Sequence, residues 1–307
     1  MHLFRLFVTA AVTSTHVRAE PGILQEISSL KSSNSSLLRY PTQFTQGIIP
    51  KAIHSHNDYW REVPLLTALS YGVASVEADV WLVNETLYVG HEIEALTRDR
   101  TFDALYVQPL VEIISAQNPD TEFTINGSSV NGVFDTSSGT PLQLLVDIKT
   151  DGEKTFPFVL QALEPLRRRG YLTTFSNGTL KTSTVTVVGT GNTPLDSVKA
   201  SLPRDFFYDA PLAELNSTSE KWDNTLSPIA STDYSLAVAW SGIGNITEDQ
   251  LANLNRLLQE AHSLGIKARF WDTPGWPSSA RNSVWRQLAE SGADWLNADD
   301  LQAASAF

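Results

Sequence analysis

The stretch SVEADVWLVNETLYVGHE, residues 75–92, contains a strand with two carboxylates and a return segment that ends in a histidine. Glu77 and Asp79 are two residues apart, so in a strand they lie on the same face. Arms of similar length flank the turn at Asn84, which brings His91 back beside Asp79. Two buried carboxylates repel each other unless a cation lies between them. The stretch therefore predicts a metal site at the end of a strand.

From residue 51 onward, strand-like segments alternate with helical ones. Strands are predicted at residues 51–55, 75–83, 143–150, 182–190, 205–211, 234–242, 266–274 and 293–300. Helices are predicted at residues 63–72, 156–171, 194–203, 247–265 and 279–292. This alternation is typical of a parallel sheet, and eight strands predict an α/β fold, a single (β/α)8 TIM barrel.

The N-terminal region has the features of an exported protein. A basic residue, a short apolar run and small residues predict a signal peptide over residues 1–19, followed by a Ser-rich extension over 20–50 and the barrel domain over 51–307. No stretch is long and apolar enough to predict a transmembrane segment. Six sequons predict N-glycans on a secreted protein or one in the secretory-pathway lumen, at Asn34, Asn84, Asn126, Asn177, Asn216 and Asn245.

The composition excludes several kinds of partner and chemistry. The 34 acidic and 22 basic residues give a net charge of −12, which repels nucleic acid and argues against it as a partner. The chain has no cysteine, so disulfides, thiolate catalysis and cysteine-bound zinc are excluded. A metal held by the oxygen ligands of this chain is expected to be Mg²⁺ or Ca²⁺.

Polar residues gather where the predicted strands end, which is the face on which barrel enzymes carry their active sites. The first strand leads into HSHND, which contains His54 and His56, and the last leads into NADD. The third strand ends with Asp147 and Lys149, again two apart on one face. Asp147 is expected to join the metal ligands, and Lys149 to bind an anionic oxygen of a substrate.

The motifs SHNDYW, VEADVWL, LYVGHE and LLVDIK together resemble the phospholipase-C-like phosphodiesterase superfamily, which includes glycerophosphodiester phosphodiesterases and phosphoinositide phospholipases C. Within it, the chain is most similar to the fungal altered inheritance of mitochondria protein 6 family, from about residue 50 to the C-terminus. The resemblance implies that His56 and His91 form the acid–base pair, with His54 as the alternative to His56. It also implies that Asn57 lies around the metal, with Glu77, Asp79 and Asp147.

The function implied is that of a metal-dependent phosphoric diester hydrolase, or a lyase that forms a cyclic phosphate. A glycerophosphodiester or phospholipid-like molecule is the expected substrate, either a small molecule or a lipid. The pKa of a histidine side chain lies near neutral pH, so two histidines suit proton transfer to and from the reacting oxygens. Trp240 and Trp271, near the predicted strand ends, are expected to line the substrate pocket.

Three other interpretations use the same residues differently. A metal barrel of the amidohydrolase kind would use His-x-His of the first strand, but it needs further histidines, and His262 lies in a predicted helix. A glycoside hydrolase would use Asp209 and Asp272 as its carboxylate pair, which leaves HSHND without a role. A secreted barrel that binds a ligand without turning it over would need no acid–base pair.

Overall fold

The computed structural model describes residues 22–35, 42–124, 129–217 and 219–307. The predicted signal peptide and the sequon at Asn126 lie outside these residues. The chain divides into two units after Tyr40. The described part of the first unit contains one helix, α1 (Ile23–Ser32), which buries none of its residues.

The second unit contains a parallel barrel. Its strands, within the described residues, are β1 (Lys51–Ser55), β2 (Val73–Val83), β4 (Leu142–Ile148), β7 (Val185–Gly191), β8 (Phe206–Pro211), β9 (Ile229–Asp233), β10 (Lys267–Trp271) and β11 (Leu296–Ala298). They pair in parallel in the order β10-β9-β8-β7-β4-β2-β1-β11. One parallel bridge, between Arg269 and Trp295, joins the two ends of this order. The predicted (β/α)8 architecture is therefore confirmed as a nearly closed barrel.

Three short strands lie outside the barrel ring. β3 (Thr86–Val89) pairs antiparallel with β2, so the predicted hairpin is present. β5 (Thr174–Ser176) and β6 (Thr179–Lys181) form a separate two-stranded hairpin. The β2–β3 hairpin extends β2 beyond the barrel and brings the residue after β3 back to Asp79, whose carbonyl accepts a hydrogen bond from Gly90 N at 3.2 Å.

Helices connect the strands. They are α2 (Leu66–Ser70), α3 (Gln108–Gln117), α4 (Gly152–Ala162), α5 (Glu164–Arg167), α6 (Leu195–Ala200), α7 (Tyr234–Ala237), α8 (Glu248–Ser263), α9 (Ser278–Ser291) and α10 (Leu301–Ala306). α8 begins with a capping box, in which Thr247 and Gln250 satisfy each other's backbone N–H groups. α9 ends at Gly292, whose φ of 92° suits glycine. None of the described helices is long and apolar enough to cross a membrane.

The pairing register of β2 and β4 brings Asp79 and Asp147 together, as the sequence predicts. Asp79 of β2 lies directly opposite Asp147 of β4, and both strands run parallel through the centre of the sheet. Adjacent strands are about 4.8 Å apart, so side chains at paired positions on one face lie next to each other. The aliphatic residues that flank Asp147 in β4, Val146 and Ile148, are fully buried and hold the strands in this register.

The sixth predicted strand was wrong. Residues 234–242 were expected to be extended, but the strand is β9, which ends at Asp233, and α7 starts at the next residue. The Asp233 side chain accepts a hydrogen bond from Leu236 N at 3.1 Å, which caps this helix. An apolar run does not distinguish a short buried helix from a strand, and here the cap decides. α3 was also not predicted, although its buried residues have helical spacing.

Candidate active site

Three carboxylates meet at the ends of β2 and β4. Glu77, Asp79 and Asp147 each place one oxygen within 4.8 Å of those of the other two. Glu77 and Asp79 are buried, and Asp147 is partly exposed. This is the cluster of oxygen ligands that the spacing in β2 and β4 predicts.

Two oxygens of this cluster have no partner. Asp79 Oδ1 and Asp147 Oδ1 are buried, and neither makes a hydrogen bond within the part of the chain that the structure describes. Buried carboxylate oxygens normally accept a hydrogen bond or bind a cation. Two neighbouring oxygens without such a partner therefore require a cation or water. Hard oxygen donors of this kind fit Mg²⁺ or Ca²⁺, so the cluster could hold such an ion.

Gly191 makes room for one of these oxygens. A Cβ at this position would lie 2.0 Å from Asp147 Oδ1, and the residue has a φ of +64°. Both the space and the backbone conformation therefore require glycine at the end of β7.

Lys149 bridges two of the carboxylates. Its Nζ lies 2.8 Å from Asp147 Oδ2 and 2.9 Å from Asp79 Oδ2. Burial disfavours the charged ammonium, but the two carboxylates outweigh it and raise the Lys149 pKa, so the side chain stays positive. Burial raises the pKa of Asp79 to about 7, with Glu77 and Asp147 adding to the effect and Lys149 opposing it.

His54 lies inside the barrel and not at its rim. It is fully buried, with Nδ1 2.7 Å from Ser75 Oγ and Nε2 3.2 Å from Arg269 Nη1. Since arginine can only donate, Nε2 accepts and Nδ1 carries the proton. Burial and the charge of Arg269 lower the His54 pKa to about 3, so the ring is neutral at physiological pH. This environment is that of a packed, hydrogen-bonded core histidine.

His56 lies one layer higher, directly after β1. Its side chain is 24% exposed, and its Nδ1 lies 2.9 Å from Asp299 Oδ1. The carboxylate follows β11, the strand that pairs with β1. Because Asp299 accepts the Nδ1 proton, Nε2 is the unprotonated nitrogen of the ring, and Asn57 Nδ2 lies 3.5 Å from it.

His91 lies beside Asp79, as the hairpin predicts. Its Nδ1 is 3.4 Å from Asp79 Oδ2 and 2.9 Å from the hydroxyl oxygen of Tyr59. The Tyr59 hydroxyl is also 2.6 Å from Asp79 Oδ2 and close to Asn57 Oδ1. A single hydroxyl proton can be donated to one of these acceptors at a time. Burial and the charge of Asp79 raise the Tyr59 pKa, which keeps that proton on the ring oxygen.

Asn57 supports the cluster through its backbone. Its φ of +48° points its N–H at Glu77 Oε2, at 2.8 Å, while its side chain accepts from Tyr59. Burial opposes ionisation of Glu77, but the positive charge of Arg269 outweighs it and holds the Glu77 pKa below its ordinary range. Arg269 Nη2 lies 3.9 Å from Glu77 Oε1.

The candidate aromatic residues differ in position and exposure, and Trp240 lies after α7 and not at a strand end. Trp271, the last residue of β10, is 37% exposed, whereas Trp240 is partly buried and its Nε1 has no partner within the described residues. Trp60 is exposed, and its ring centroid lies 5.5 Å from that of His91.

The residues of the other interpretations are not gathered here. His262 lies on α8 and pairs with Asp294. Asp272 is exposed after β10, whereas Asp209 has a buried Oδ1 inside the barrel.

Three residues of the site carry no role in the sequence analysis: Tyr59, Arg269 and Asp299. Two sequence signals point towards them. Tyr59 belongs to the HSHNDY motif, and Asp299 to the polar end of the last strand. Arg269 lies within a strand, where a buried arginine cannot be recognised from local sequence because its partners come from β1 and β2.

Comparison with known proteins identifies relatives that cover most of the chain. Residues 42–209 match the model of the AIM6-like phosphodiesterase domain. The chain is 44% identical over 293 residues to an altered inheritance of mitochondria protein 6 homolog from Arthroderma benhamiae, covering 91% of this chain and 90% of the relative. It is 37% identical over 270 residues to the Eremothecium gossypii protein of that name, covering 83% and 69%.

Among solved structures, a glycerophosphodiester phosphodiesterase from Parabacteroides distasonis is similar with a TM-score of 0.49. The two chains are 12% identical, and the match covers 85% of this chain and 98% of that one.

Proposed function

This chain belongs to the family of proteins with an AIM6-like phosphodiesterase domain, and from this premise we propose that it is a phosphodiesterase that depends on Mg²⁺ or Ca²⁺. The observation that carries the proposal is the pair of unpartnered buried oxygens, Asp79 Oδ1 and Asp147 Oδ1. They lie in a carboxylate cluster with His91 beside it, at the barrel face that carries active sites.

The metal would be held by Glu77, Asp79 and Asp147. When bound, a divalent cation neutralises the negative charge that builds on the phosphoryl oxygens in the transition state. Lys149 is the neighbouring cation and adds a donor for one of these oxygens. Asn57 holds Glu77 in place through its backbone N–H.

His56 and His91 are the proposed acid–base pair. Asp299 holds the Nδ1 proton of His56, so the lone pair of Nε2 can take a proton from the attacking hydroxyl. His91, held by Tyr59 through Nδ1, can give a proton from Nε2 to the leaving alkoxide. Each such transfer contributes about 10²–10⁴-fold to the rate. His54 is a poor candidate because it is buried and both its nitrogens are already bonded.

We propose a glycerophosphodiester or a phospholipid-like molecule as the substrate. Exposed Trp60 and Trp271, together with the partly buried Trp240, offer aromatic surface for an apolar or cationic head group. The attacking group is either a water molecule, which gives hydrolysis, or a hydroxyl of the substrate, which gives a cyclic phosphate.

The test is turnover of a panel of phosphodiesters, from glycerophosphocholine to lysophospholipids and sphingomyelin, with Mg²⁺, with Ca²⁺ and with EDTA. We expect metal-dependent turnover that falls at least about 10²-fold in His56→Ala and in His91→Ala. His262→Ala, which removes an exposed histidine on α8, is the matched control and should keep full activity. Turnover that persists in EDTA, or in both histidine variants, would contradict the mechanism.

A calorimetric metal titration tests the site without turnover. Binding of Mg²⁺ or Ca²⁺ is expected in the unsubstituted chain and is expected to be lost in the double variant Glu77→Gln, Asp147→Asn. Asp99→Asn, at an exposed position, controls for the loss of charge. Metal binding without turnover on any substrate would favour the ligand-binding barrel over the enzyme.

We also propose that the protein is made in the secretory pathway and carries N-glycans. The support is that the sequon asparagines within the described residues are all exposed: Asn34, Asn84, Asn177, Asn216 and Asn245. Glycan transfer needs an accessible acceptor, and this condition is met at each of them.

A further inference from the structure

A cavity of about 260 Å³ opens at the end of the barrel where the strands begin, opposite the carboxylate cluster. We call it the floor cavity, and its defining residues are Lys51, Lys267 and Trp295. Lys51 and Lys267 are the first residues of β1 and β10, and Trp295 directly precedes β11. In barrels of this kind the catalytic residues lie at the other end, so the proposed phosphodiesterase function gives the floor cavity no role.

The floor cavity is positively charged although the chain is acidic. Two lysines line it, and none of its described lining residues is an aspartate or a glutamate. Lys51 Nζ donates to the carbonyl oxygen of Ser305, and Lys267 Nζ lies 5.4 Å from the centroid of the Trp295 ring. Neither ammonium group has a carboxylate partner among the described residues. Two positive charges at one opening therefore remain without a counter-charge.

Trp295 forms part of the same wall. The residue is 7% exposed, and its Nε1 is closed off from solvent, so the indole contributes ring surface to the cavity and not a hydrogen-bond donor. The donors at the opening are the two lysine ammonium groups, and an anionic oxygen is the acceptor that suits both.

The rest of the wall is mostly apolar. Its apolar lining residues are Pro50, Ala52, Ala74, Pro141 and Pro228. The volume lies just below the roughly 300–1,000 Å³ of sites for drug-sized ligands, so the occupant must be small. Donors on one side and proline and alanine surface on the other suit a molecule with one anionic group and a compact apolar body.

We propose that the floor cavity binds a small organic anion. Its carboxylate or phosphate group contacts Lys51 and Lys267, and its apolar body packs against the prolines, the alanines and the Trp295 ring. This ligand class differs from the proposed substrate, and its site lies at the other end of the barrel.

The test is calorimetric titration of the full chain with benzoate, phenyl phosphate, inorganic phosphate and benzyl alcohol. At least one of the two organic anions is expected to bind, and benzyl alcohol, which has a similar ring without the charge, is expected to bind at least about tenfold more weakly. The organic anion that binds more tightly shows whether the site prefers a carboxylate or a phosphate. Inorganic phosphate gives the affinity of a phosphate group without an apolar body.

Three lysine variants locate the binding. Lys267→Gln should weaken it about tenfold or more, whereas Lys154→Gln, which removes an exposed charge on α4, should leave it unchanged. Lys149→Gln removes the ammonium group of the carboxylate site and should also leave it unchanged. Circular dichroism of each variant establishes that it is folded, and Lys51→Gln is a second floor variant if Lys267→Gln does not fold.

Two results would overturn the proposal. One is that neither organic anion binds at concentrations up to about 10 mM. The other is that binding survives in the folded floor variants or is lost in Lys149→Gln, because the anion would then occupy another site. No turnover is measured, so the outcome is independent of whether the protein is a phosphodiesterase.

Discussion

His56 Nδ1 lies 2.9 Å from Asp299 Oδ1, although 243 residues separate them in the sequence. The contact exists because β11 pairs in parallel with β1, so that His54 lies opposite Asn297 and Ser55 opposite Ala298. The residues that follow the two strands therefore meet at the rim of the barrel. One result of the nearly closed ring is that the last strand orients a histidine of the first.

Asp299→Asn tests this contact. The amide can donate to Nδ1 as well as accept, so the ring loses its fixed tautomer, and we expect kcat to fall about 10–100-fold with little change in KM. Asp294→Asn removes the carboxylate from the pair with His262 and is the control. An unchanged kcat would mean that Asp299 does not position His56.

Gly191→Ala tests the packing around Asp147. An alanine Cβ would lie 2.0 Å from Asp147 Oδ1 at a φ of +64°, so we expect a loss of about 1–3 kcal/mol in the free energy of unfolding. Metal affinity should fall as well, because the carboxylate must move. Gly139→Ala is the control, since its Cβ would meet nothing within 4 Å, and it should change stability by about 0.5 kcal/mol at most. Equal denaturant midpoints for the two variants would refute this role of Gly191.

Asp209→Asn tests a buried carboxyl group. Burial raises the pKa of Asp209 to about 7 from 3.8, with Arg269 opposing, so the folded state binds this proton more tightly than the unfolded chain. The stabilisation is complete below about pH 4 and is lost as the pH rises through about 7. Asparagine resembles the protonated form, so the variant should be more stable than the unsubstituted chain at pH 8, by up to about 4 kcal/mol.

Thermal unfolding between pH 4 and pH 8 measures this effect. The difference between Asp209→Asn and the unsubstituted chain should grow with pH, whereas the exposed Asp99→Asn should show no such trend. A constant difference across this range would mean that Asp209 is ionised throughout.

The glycosylation proposal is tested in a fungal host with an endoglycosidase that removes N-glycans. The treated protein should migrate faster, and Thr86→Ala and Thr179→Ala should each remove one glycan from the untreated protein. These substitutions leave Asn84 and Asn177 in place, which matters because both have positive φ, at 48° and 50°. Thr247→Ala is avoided because that residue caps α8. Identical mobility before and after treatment would contradict the proposal.

Much of the site could be predicted because its signals are local. Glu77 and Asp79 share a face through the period of a strand, and the hairpin returns His91 to Asp79 through the length of its arms. The structure of residues 234–242 could not be predicted correctly, because a short apolar run is compatible with a strand or a helix and the Asp233 cap decides between them.

The sequence by itself determined the class of fold, the alternation of strands and helices, and the carboxylates that gather at the ends of β2 and β4. The different environments of His54 and His56 were decided only by the tertiary structure. Both lie on the same side of one short segment, so strand periodicity does not distinguish them. His54 is a buried, neutral ring whose Nε2 accepts a hydrogen bond from Arg269, whereas His56 lies at the rim with its Nδ1 bonded to Asp299. Both partners lie more than 200 residues away. Only the pairing of β11 with β1, and the bridge that joins β10 to the residue before β11, bring them there.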